Sequence, residues 1–324
     1  MTTDAQIPPH ASIHLSIVVP VRNEAGCIAE LTRRVFSTVD AMPTPTTTEL
    51  VFVDDGSTDL TFATIRDMAR ADSRVRCLRL SRNMGHQIAL TCGLDAARGD
   101  VVISMDGDLQ HPPELLPDLI KSWREGHEIV NTRRRNYAAD ITLLQRLTSR
   151  AFYWLYNKIS PVPLVPGGAD FRLLDRKAVD ALRAMPEHYK FYRGMVPYIG
   201  FAQATVDFDG APRFAGQRSY SLRQSWQLAT NGIFGFSTAG LKIPFYLGIL
   251  VVFVALAYFV FALGLWFFAG HGAIAGWTSI VALIFLSLGM QLTITGVFGV
   301  YLARIFIETK RRPPYFVREE IGGR

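Results

Sequence analysis

Residues 101–110 read VVISMDGDLQ, an apolar run that ends in two aspartates separated by one residue. The same arrangement occurs twice earlier in the chain, where LSIVVPVRNE (15–24) and LVFVDDGSTD (50–59) also pass from apolar, β-branched residues to a polar turn. Short β-branched runs bounded by Gly, Pro, Asp and Asn are typical of strands. These segments therefore predict three strands that each end at a polar turn.

The residues between these strands have the apolar spacing of helices. Residues 24–39, 59–70 and 86–97 predict helices, 75–80 predicts a fourth strand, and Pro113 opens a further helix. Strands that alternate with helices form a largely parallel sheet covered on both faces, and ligands bind at the carboxyl ends of its strands. We therefore predict an α/β fold whose binding crevice lies at the polar turns.

The carboxylates of these turns predict a cation site. Because they converge on one edge of the sheet, their mutual repulsion is costly unless a cation or a hydrogen-bonding ligand compensates it. Asp106 and Asp108 present the oxygen ligands that Mg²⁺ or Mn²⁺ prefers, and such an ion binds a diphosphate. An Asp-x-Asp pair alone is a weak indication, since acidic residues also favour turns and helix caps. The three turns together favour a metal and nucleotide site.

A charge-free block near the C-terminus predicts a membrane anchor. No Asp, Glu, Lys or Arg lies between Lys242 and Arg304, and the apolar runs 245–268 and 277–303 are each long enough to cross a hydrocarbon core of about 30 Å. Lys and Arg flank the pair on both outer sides and are absent from the connecting turn, so both ends are expected on the cytoplasmic side. The alternative is a pair of buried helices in a large soluble core.

The rest of the chain is predicted to stay in the cytoplasm. Residues 1–14 contain no apolar segment of the kind found in signal peptides. Cys27, Cys77 and Cys92 have neither a metal-binding spacing nor an even number for disulfides, which is typical of a reducing compartment. We expect all three to be buried or half-buried.

Charge is distributed unevenly along the chain. Residues 1–132 contain 12 Lys and Arg against 18 Asp and Glu, a net of −6, whereas residues 133–242 have a net of +9. A basic region beside the spans favours anionic lipid headgroups. Nucleic acid is excluded as a partner, because no recognised motif is present and the first part would repel phosphates. Residues 141–159 and 222–236 have the pattern of interfacial helices, although core helices share it.

Four motifs resemble those of the family 2 glycosyltransferases, which have a GT-A fold. They are IVVPVRNE (17–24), FVDDGSTD (52–59), SRNMGH (81–86) and MDGDLQHPPE (105–114). More narrowly, three further motifs and the two spans resemble the polyprenyl-phosphate glycosyltransferases, a group that includes dolichol-phosphate mannose synthase and the undecaprenyl-phosphate glucosyltransferases. Those motifs are GADFRLLDR (168–176), RFAGQRSY (213–220) and RPPYFV (312–317).

The resemblance implies an organisation of the whole chain. The expected catalytic domain is an α/β, Rossmann-like GT-A domain with a mostly parallel sheet, followed by interfacial helices and a two-helix transmembrane hairpin. The implied segments are an N-terminal tail (1–14), the GT-A domain (15–220), a juxtamembrane amphipathic helix (221–242), two transmembrane helices within 243–303 and a cytoplasmic tail (304–324).

The resemblance also implies roles for individual residues. The positions that match the nucleoside and donor pocket are Pro20, Arg22, Glu24, Asp54, Asp55 and Asp106. The positions that match the metal and diphosphate site are Asp106, Asp108 and Gln110. The residues that match the catalytic centre are Asp170 and Asp106, and the arginines in segments that handle the acceptor phosphate are Arg133, Arg213 and Arg218.

The implied activity is transfer of a sugar from a nucleotide sugar, with UDP-glucose favoured, to polyprenyl phosphate in the inner membrane. It implies Mg²⁺ or Mn²⁺ as cofactor, inversion at the anomeric carbon and association into a homo-oligomer. A phosphate monoester is largely ionised at neutral pH, so Asp170 is expected to orient arginines or acceptor groups rather than to act as an obligatory base.

Several other functions remain open or are disfavoured. A membrane-anchored nucleotide sensor, a GDP-mannose donor and a non-lipid acceptor all remain open. A processive polysaccharide synthase would carry a Gln-x-x-Arg-Trp motif, and a haloacid-dehalogenase-like phosphatase a later Gly-Asp-x-x-x-Asp motif. The sequence contains neither motif.

Overall fold

The structure is a computed structural model, and it describes residues 12–43, 46–135, 157–158, 168–188, 190–209, 239–269 and 277–323. The chain divides into two compact units. The first unit comprises residues 1–229 and 313–324, and the second comprises residues 230–312.

The first unit is a mixed α/β domain. Its strands are β1 (Ile13–Val21), β2 (Thr46–Asp54), β3 (Val75–Leu80), β4 (Val101–Ser104), β5 (Ile129–Arg134), β6 (Gly168–Asp175), β7 (Gln203–Phe208) and β8 (Val317–Ile321). Its helices are α1 (Ala25–Asp40), α2 (Thr61–Ala71), α3 (His86–Ala96), α4 (Leu116–Arg124), α5 (Arg176–Ala184) and α6 (Tyr192–Tyr198). A short 3₁₀ turn, Pro113–Leu115, precedes α4. The predicted α/β class is confirmed.

The strands form one sheet in the order β7-β5-β6-β4-β1-β2-β3-β8. The four strands that the sequence predicts lie together at its centre and run parallel, with β1 between β2 and β4. The chain moves outward from β1 through β2 to β3 and then returns to place β4 on the other side of β1. Such a reversal of strand order opens a crevice at the carboxyl ends of the two neighbouring strands, here β1 and β4.

The outer parts of the sheet are mixed. Strand β6 runs antiparallel to β4 and β5, and β8 runs antiparallel to β3. Because β6 opposes β4, its first residues lie at the carboxyl edge of β4, where the crevice opens. Strand β8 belongs to residues 304–324, which the sequence assigns to a tail. The structure instead places Val317–Ile321 in the sheet of the first unit.

Both faces of the central sheet are covered. Ile17 and Val19 point to the face that packs against α1, in a cluster that includes Leu31. Val18 points to the other face, where Gly93 of α3 packs directly against it. All of these apolar side chains are fully buried, and each such burial stabilises the fold by about 1.5–3 kcal/mol.

The three cysteines belong to the interior of the first unit. Cys27, Cys77 and Cys92 are all buried. The prediction that all three are buried or half-buried is therefore confirmed.

The second unit contains two long helices that contact each other, α7 (Ala239–Ala269) and α8 (Trp277–Thr309). Among the described residues, one segment, Leu286–Thr309 in α8, is long and apolar enough to cross a membrane by its length and composition. Both helices extend beyond the predicted spans, since α7 begins before residue 245 and α8 continues past Arg304. The two-span hairpin stays a prediction.

Several predicted features lie outside the described residues. They are the interfacial helix at 141–159 apart from residues 157–158, the juxtamembrane helix at 221–242 apart from residues 239–242, and the arginines Arg213 and Arg218.

Candidate active site

The turns after β1 and β2 are hydrogen-bonded into one unit. The backbone N–H of Asn23 donates to Ser57 Oγ at 3.0 Å, and Asn23 Oδ1 accepts from the N–H of Thr58 at 2.9 Å. Asn23 has a φ of 55°, a left-handed conformation that Asn adopts more readily than most residues. The N–H of Asp55 donates to the carbonyl of Val21 at 3.0 Å. The polar ends of two neighbouring strands are therefore held in one arrangement.

Two predicted nucleoside-site carboxylates, Asp54 and Asp55, are buried and bonded within these turns. Asp54 Oδ1 accepts from the N–H of Ser57 at 2.9 Å, and Arg79 Nε lies 3.4 Å from Asp54 Oδ2. Asp55 accepts from the N–H groups of Met84 and Gly85 at the start of α3, at 2.6 and 3.0 Å. Burial raises the pKa of Asp55, and these N–H donors oppose the rise only in part. Both carboxylates position the turns, and their contact with a nucleoside stays a prediction.

The other predicted nucleoside residues differ in exposure. Pro20 is buried in β1, and Arg22 is exposed just beyond it. Glu24 is half-buried, and its N–H donates to Thr61 Oγ1 at 2.9 Å. All three lie at the carboxyl end of β1, beside the crevice.

The acidic turn after β4 is closed by a histidine. The backbone N–H of Asp106 donates to His111 Nδ1 at 3.1 Å, and the N–H of Gln110 donates to Asp108 Oδ1 at 3.1 Å. Leu109 is buried with a φ of 61°, so it enters the left-handed region inside the turn. The side chain of Asp106 is 37% exposed, whereas Asp108 is buried. The turn therefore presents Asp106 to the crevice and holds Asp108 behind it.

His111 connects this turn to β6. Its ring is buried, stacks on Phe171 at a centroid distance of 5.2 Å and meets Phe208 edge-on at 5.8 Å. Because Nδ1 accepts a hydrogen bond from a backbone N–H, the neutral ring carries its proton on Nε2. Sequence reasoning missed His111, although it lies within the quoted motif at 105–114.

The oxygen donors of the acidic turn fit a hard divalent cation. Asp106 and Asp108 supply carboxylates and Gln110 a side-chain carbonyl, which are the ligand types that Mg²⁺ and Mn²⁺ prefer. Within the described residues, no group of three or more His, Cys, Asp or Glu is placed to hold a metal ion. Mg²⁺ is commonly held by one or two carboxylates together with substrate phosphates. The residues therefore fit a metal that is bound jointly with a diphosphate.

Asp170, the predicted catalytic carboxylate, lies between two arginines. Arg172 Nη2 is 3.1 Å from Asp170 Oδ1, and Arg193 contacts both carboxylate oxygens, at 3.2 and 3.4 Å. The side-chain amide of Gln87 donates to Asp170 Oδ2 at 3.5 Å. Burial by itself raises the pKa of Asp170, but the charges of Arg193 and Arg172 outweigh it and hold that pKa well below its usual range. Asp170 is therefore a weak base.

His86 bridges the two predicted catalytic residues. Its Nε2 lies 3.6 Å from Asp106 Oδ1 and 3.8 Å from Asp170 Oδ2. The side chain is 42% exposed, so this contact lies at the open surface of the crevice. The structure thus brings Asp106 and Asp170 to the same histidine at the carboxyl edge of β4. Sequence reasoning missed His86 and also missed Arg193.

Arg133, predicted to bind the acceptor phosphate, lies at the carboxyl end of β5. Its Nε and Nη2 donate to the two carboxylate oxygens of Asp207 on β7, at 2.7 and 2.9 Å. Its guanidinium thus forms a bidentate pair within the domain. The other two predicted acceptor arginines lie outside the described residues, so the structure does not bring the three together.

Comparisons with known proteins identify the family of this chain. Residues 16–183 match the family model described as glycosyl transferase family 2. The chain is 38% identical to an uncharacterized glycosyltransferase of Synechocystis sp. over 96% of both chains. It is 36% identical to the bactoprenol glucosyl transferase of Shigella phage SfV, and 37% identical to a prophage bactoprenol glucosyl transferase homolog of Escherichia coli, each over 94% of this chain and 98% of the relative.

Among solved structures, glucosyl-3-phosphoglycerate synthase from Mycobacterium tuberculosis in complex with Mn²⁺, UDP and glucosyl-3-phosphoglycerate aligns with a TM-score of 0.46. The sequence identity is 21%, over 68% of this chain and 78% of that chain. The family match covers the central parallel strands, the acidic turn after β4 and Asp170, and the curated relatives align over nearly the whole chain. The protein therefore belongs to glycosyl transferase family 2 and is a glycosyltransferase with a GT-A-like mixed-sheet α/β fold.

Proposed function

We propose that this enzyme transfers a sugar from a nucleotide donor to a polyprenyl phosphate in the membrane, with UDP-glucose as the favoured donor. The single observation that supports this most directly is the convergence of Asp106 and Asp170 on His86 in one exposed crevice. Relatives named bactoprenol glucosyl transferases align with nearly the whole chain, including the two long helices, and bactoprenol is a polyprenol. Their names support both the lipid acceptor and the glucosyl group.

On the donor side, Asp106, Asp108 and Gln110 would hold Mg²⁺ or Mn²⁺ together with the donor diphosphate. The chemistry that such an ion supplies is neutralisation of the charge that develops on the departing diphosphate. Pro20, Arg22 and Glu24 line the crevice where the nucleoside is proposed to lie. Asp54 and Asp55 act there by holding the turns, because both are buried and bonded to backbone N–H groups.

On the acceptor side, the proposed reaction is a single displacement with inversion. An oxygen of the acceptor phosphate forms a bond to the anomeric carbon while the bond from that carbon to the donor diphosphate breaks. A phosphate monoester has its second pKa near 6 and arrives largely ionised, so no protein group has to remove a proton. Asp170 then serves to orient its arginines and, through His86, the donor side of the crevice.

The membrane is the proposed site of action. We propose that α7 and α8 form a two-span hairpin in the inner membrane, with the first unit and both chain ends on the cytoplasmic side. The charge-free stretch between Lys242 and Arg304 and the cationic residues that flank it support this topology. A nucleotide sugar made in the cytoplasm would then meet a lipid phosphate at the cytoplasmic face.

The test is incorporation of radiolabelled sugar into butanol-extractable lipid. Purified full-length protein is incubated with undecaprenyl phosphate, with Mg²⁺ or Mn²⁺, and with a panel of labelled nucleotide sugars that includes UDP-glucose and GDP-mannose. We expect transfer from UDP-glucose. Transfer from GDP-mannose alone would replace the donor, and absence of labelled lipid with every donor would refute the lipid acceptor.

A paired substitution tests the metal site in the same assay. Asp108→Ala should remove metal-dependent turnover, because it deletes a carboxylate of the acidic turn. Asp118→Ala, which removes an exposed carboxylate on α4, is the matched control and should retain activity. Full activity of Asp108→Ala would refute the metal assignment.

A further inference from the structure

Arg193 and Arg172 both contact the carboxylate of Asp170, but they differ in their exposure to solvent. Arg172 lies on β6 with its side chain 5% exposed, and its guanidinium also donates to the carbonyl of Ala169 at 3.1 Å. Arg193 lies at the start of α6 with its side chain 33% exposed. One arginine therefore belongs to the interior, and the other reaches the crevice.

The charges of this group do not cancel. Asp170 contributes one negative charge, and the two guanidiniums contribute two positive charges that stay on at any physiological pH. Because Arg172 is buried against the carboxylate, the excess positive charge is presented to the crevice at Arg193. A guanidinium at a partly exposed site suits the planar, bidentate recognition of phosphate oxygens.

The position of Arg193 relative to the donor side is defined through His86. The imidazole Nε2 lies 3.6 Å from Asp106 and 3.8 Å from Asp170, so the carboxylate of the proposed diphosphate site and the carboxylate that Arg193 contacts share one neighbour. In a displacement with inversion, the nucleophile approaches the anomeric carbon from the side opposite the leaving group. An anionic nucleophile that approaches from the Asp170 side of the crevice would meet the partly exposed guanidinium of Arg193.

We propose that Arg193 binds the phosphate group of the acceptor, a phosphate monoester, and that Asp170 positions its guanidinium for this contact. The inference rests on the proposed function and adds to it a phosphate-binding residue, Arg193, that sequence reasoning did not predict. It also gives the acceptor phosphate a cation in the crevice; the guanidinium of Arg133 is paired with Asp207 on β7.

The test compares Arg193→Gln and Arg193→Lys with wild-type protein in steady-state transfer to polyprenyl phosphate. Loss of a charge-assisted hydrogen bond should raise the KM for the acceptor about tenfold or more in Arg193→Gln, with the donor KM changed less than about twofold. Arg193→Lys should recover part of the acceptor affinity, because it keeps the charge but loses the planar fork.

The matched control is Arg183→Gln. Arg183 has a similar exposure of 29% and pairs with Asp180. It donates to the carbonyls of Leu94, Asp95 and Ala97 around the C-terminal end of α3, at the end of that helix opposite His86. Its removal should change neither KM. An unchanged acceptor KM in Arg193→Gln, or an equal rise in both KM values, would overturn the inference while leaving the proposed function in place.

A binding measurement separates this inference from the proposed function. Calorimetry with citronellyl phosphate, and with citronellol as the uncharged comparison, needs no turnover. Weaker binding of the phosphate to Arg193→Gln than to wild type supports the site even if no sugar transfer to polyprenyl phosphate is observed. Equal binding by both proteins, or no preference for the phosphate over the alcohol in wild type, overturns it.

Discussion

Substitution of Asp170 by asparagine separates an orienting role from a role as general base. The change keeps the size of the side chain and removes the charge that two guanidiniums share. Arg172, with its side chain 5% exposed, then lies buried beside Arg193 without a compensating anion. Removing one partner of a buried ion pair costs about 3–5 kcal/mol, so we expect a loss of that order in the free energy of unfolding.

The pH dependence gives a second, independent expectation. Because the pKa of Asp170 in the folded state lies below its ordinary value, its stabilising contribution is complete above the unfolded-state pKa of about 3.9 and is lost only as pH falls through the lower folded value. The carboxylate is therefore ionised throughout the range of a transfer assay. The acid limb of the rate profile should then come from the second ionisation of the acceptor phosphate, near pH 6.

The assay is kcat/KM for polyprenyl phosphate between pH 5.5 and 8.5, measured for wild type and for Asp170→Asn, with urea unfolding in parallel. We expect a lower rate at every pH, a higher acceptor KM and an acid limb at the same pH. Asp175→Asn on the same strand is the control, because it removes a carboxylate that accepts from Trp123 Nε1 at 2.8 Å and should cost only about 1 kcal/mol. An acid limb that disappears in Asp170→Asn, with acceptor KM unchanged, would refute the reasoning and identify a general base.

Three further predictions concern other parts of the first unit. Glu49→Gln should lower the free energy of unfolding in urea by about 3–5 kcal/mol, because it removes the buried carboxylate that pairs with the buried Arg76. Glu320→Gln, which removes the half-exposed partner of the same arginine, should lower it by less than about 1 kcal/mol, and equal losses in the two variants would contradict this. His111→Asn keeps a hydrogen-bond acceptor, whereas His111→Phe keeps only an aromatic ring. In calorimetry with UDP present, we expect His111→Phe to bind Mn²⁺ about tenfold more weakly than His111→Asn. The reverse order would show that stacking on Phe171, not the hydrogen bond, maintains the turn. Burial raises the pKa of the Cys92 thiol to about 12, so alkylation at pH 8 should require unfolding, and rapid labelling of the native protein at this position would contradict the buried environment.

The centre of the sheet could be predicted from the sequence, but its edges could not. The strands β1, β2 and β4 are apolar because helices cover them on both faces, so their composition identifies them. Strand β8 reads VREEI and is mostly exposed, so its composition resembles that of a loop. Its position depends on pairing with β3, where Cys77 is opposite Ile321, and on the ion pair between Arg76 and Glu320. Such pairing joins distant parts of the chain and has no local pattern.

Part of the candidate site could be predicted from the sequence and part could not. The acidic turn could be predicted, because a polar segment directly after a buried strand has to lie at the carboxyl edge of the sheet. His86 could have been placed by the same rule, since a helix that follows a parallel strand begins at that edge, and the sequence predicts a helix from residue 86. Arg193 offers no such rule: no predicted strand precedes it, and it reaches Asp170 only through the packing of α6 on β6.

The net charge of a segment does not show which charges a ligand meets, because many charged side chains are paired within the fold. The first 132 residues have a net charge of −6, yet Asp54 lies beside Arg79 and Asp55 accepts two backbone N–H groups, so these carboxylates do not act as bare charges on a ligand. In the crevice, the carboxylate of Asp106 is 37% exposed and the guanidinium of Arg193 is 33% exposed. His86 contacts Asp106 and Asp170, and Asp170 in turn contacts Arg193. A donor held through a cation and an acceptor that is itself an anion need opposite charges within one crevice, and the folded chain provides both there, although the average over a segment does not show them.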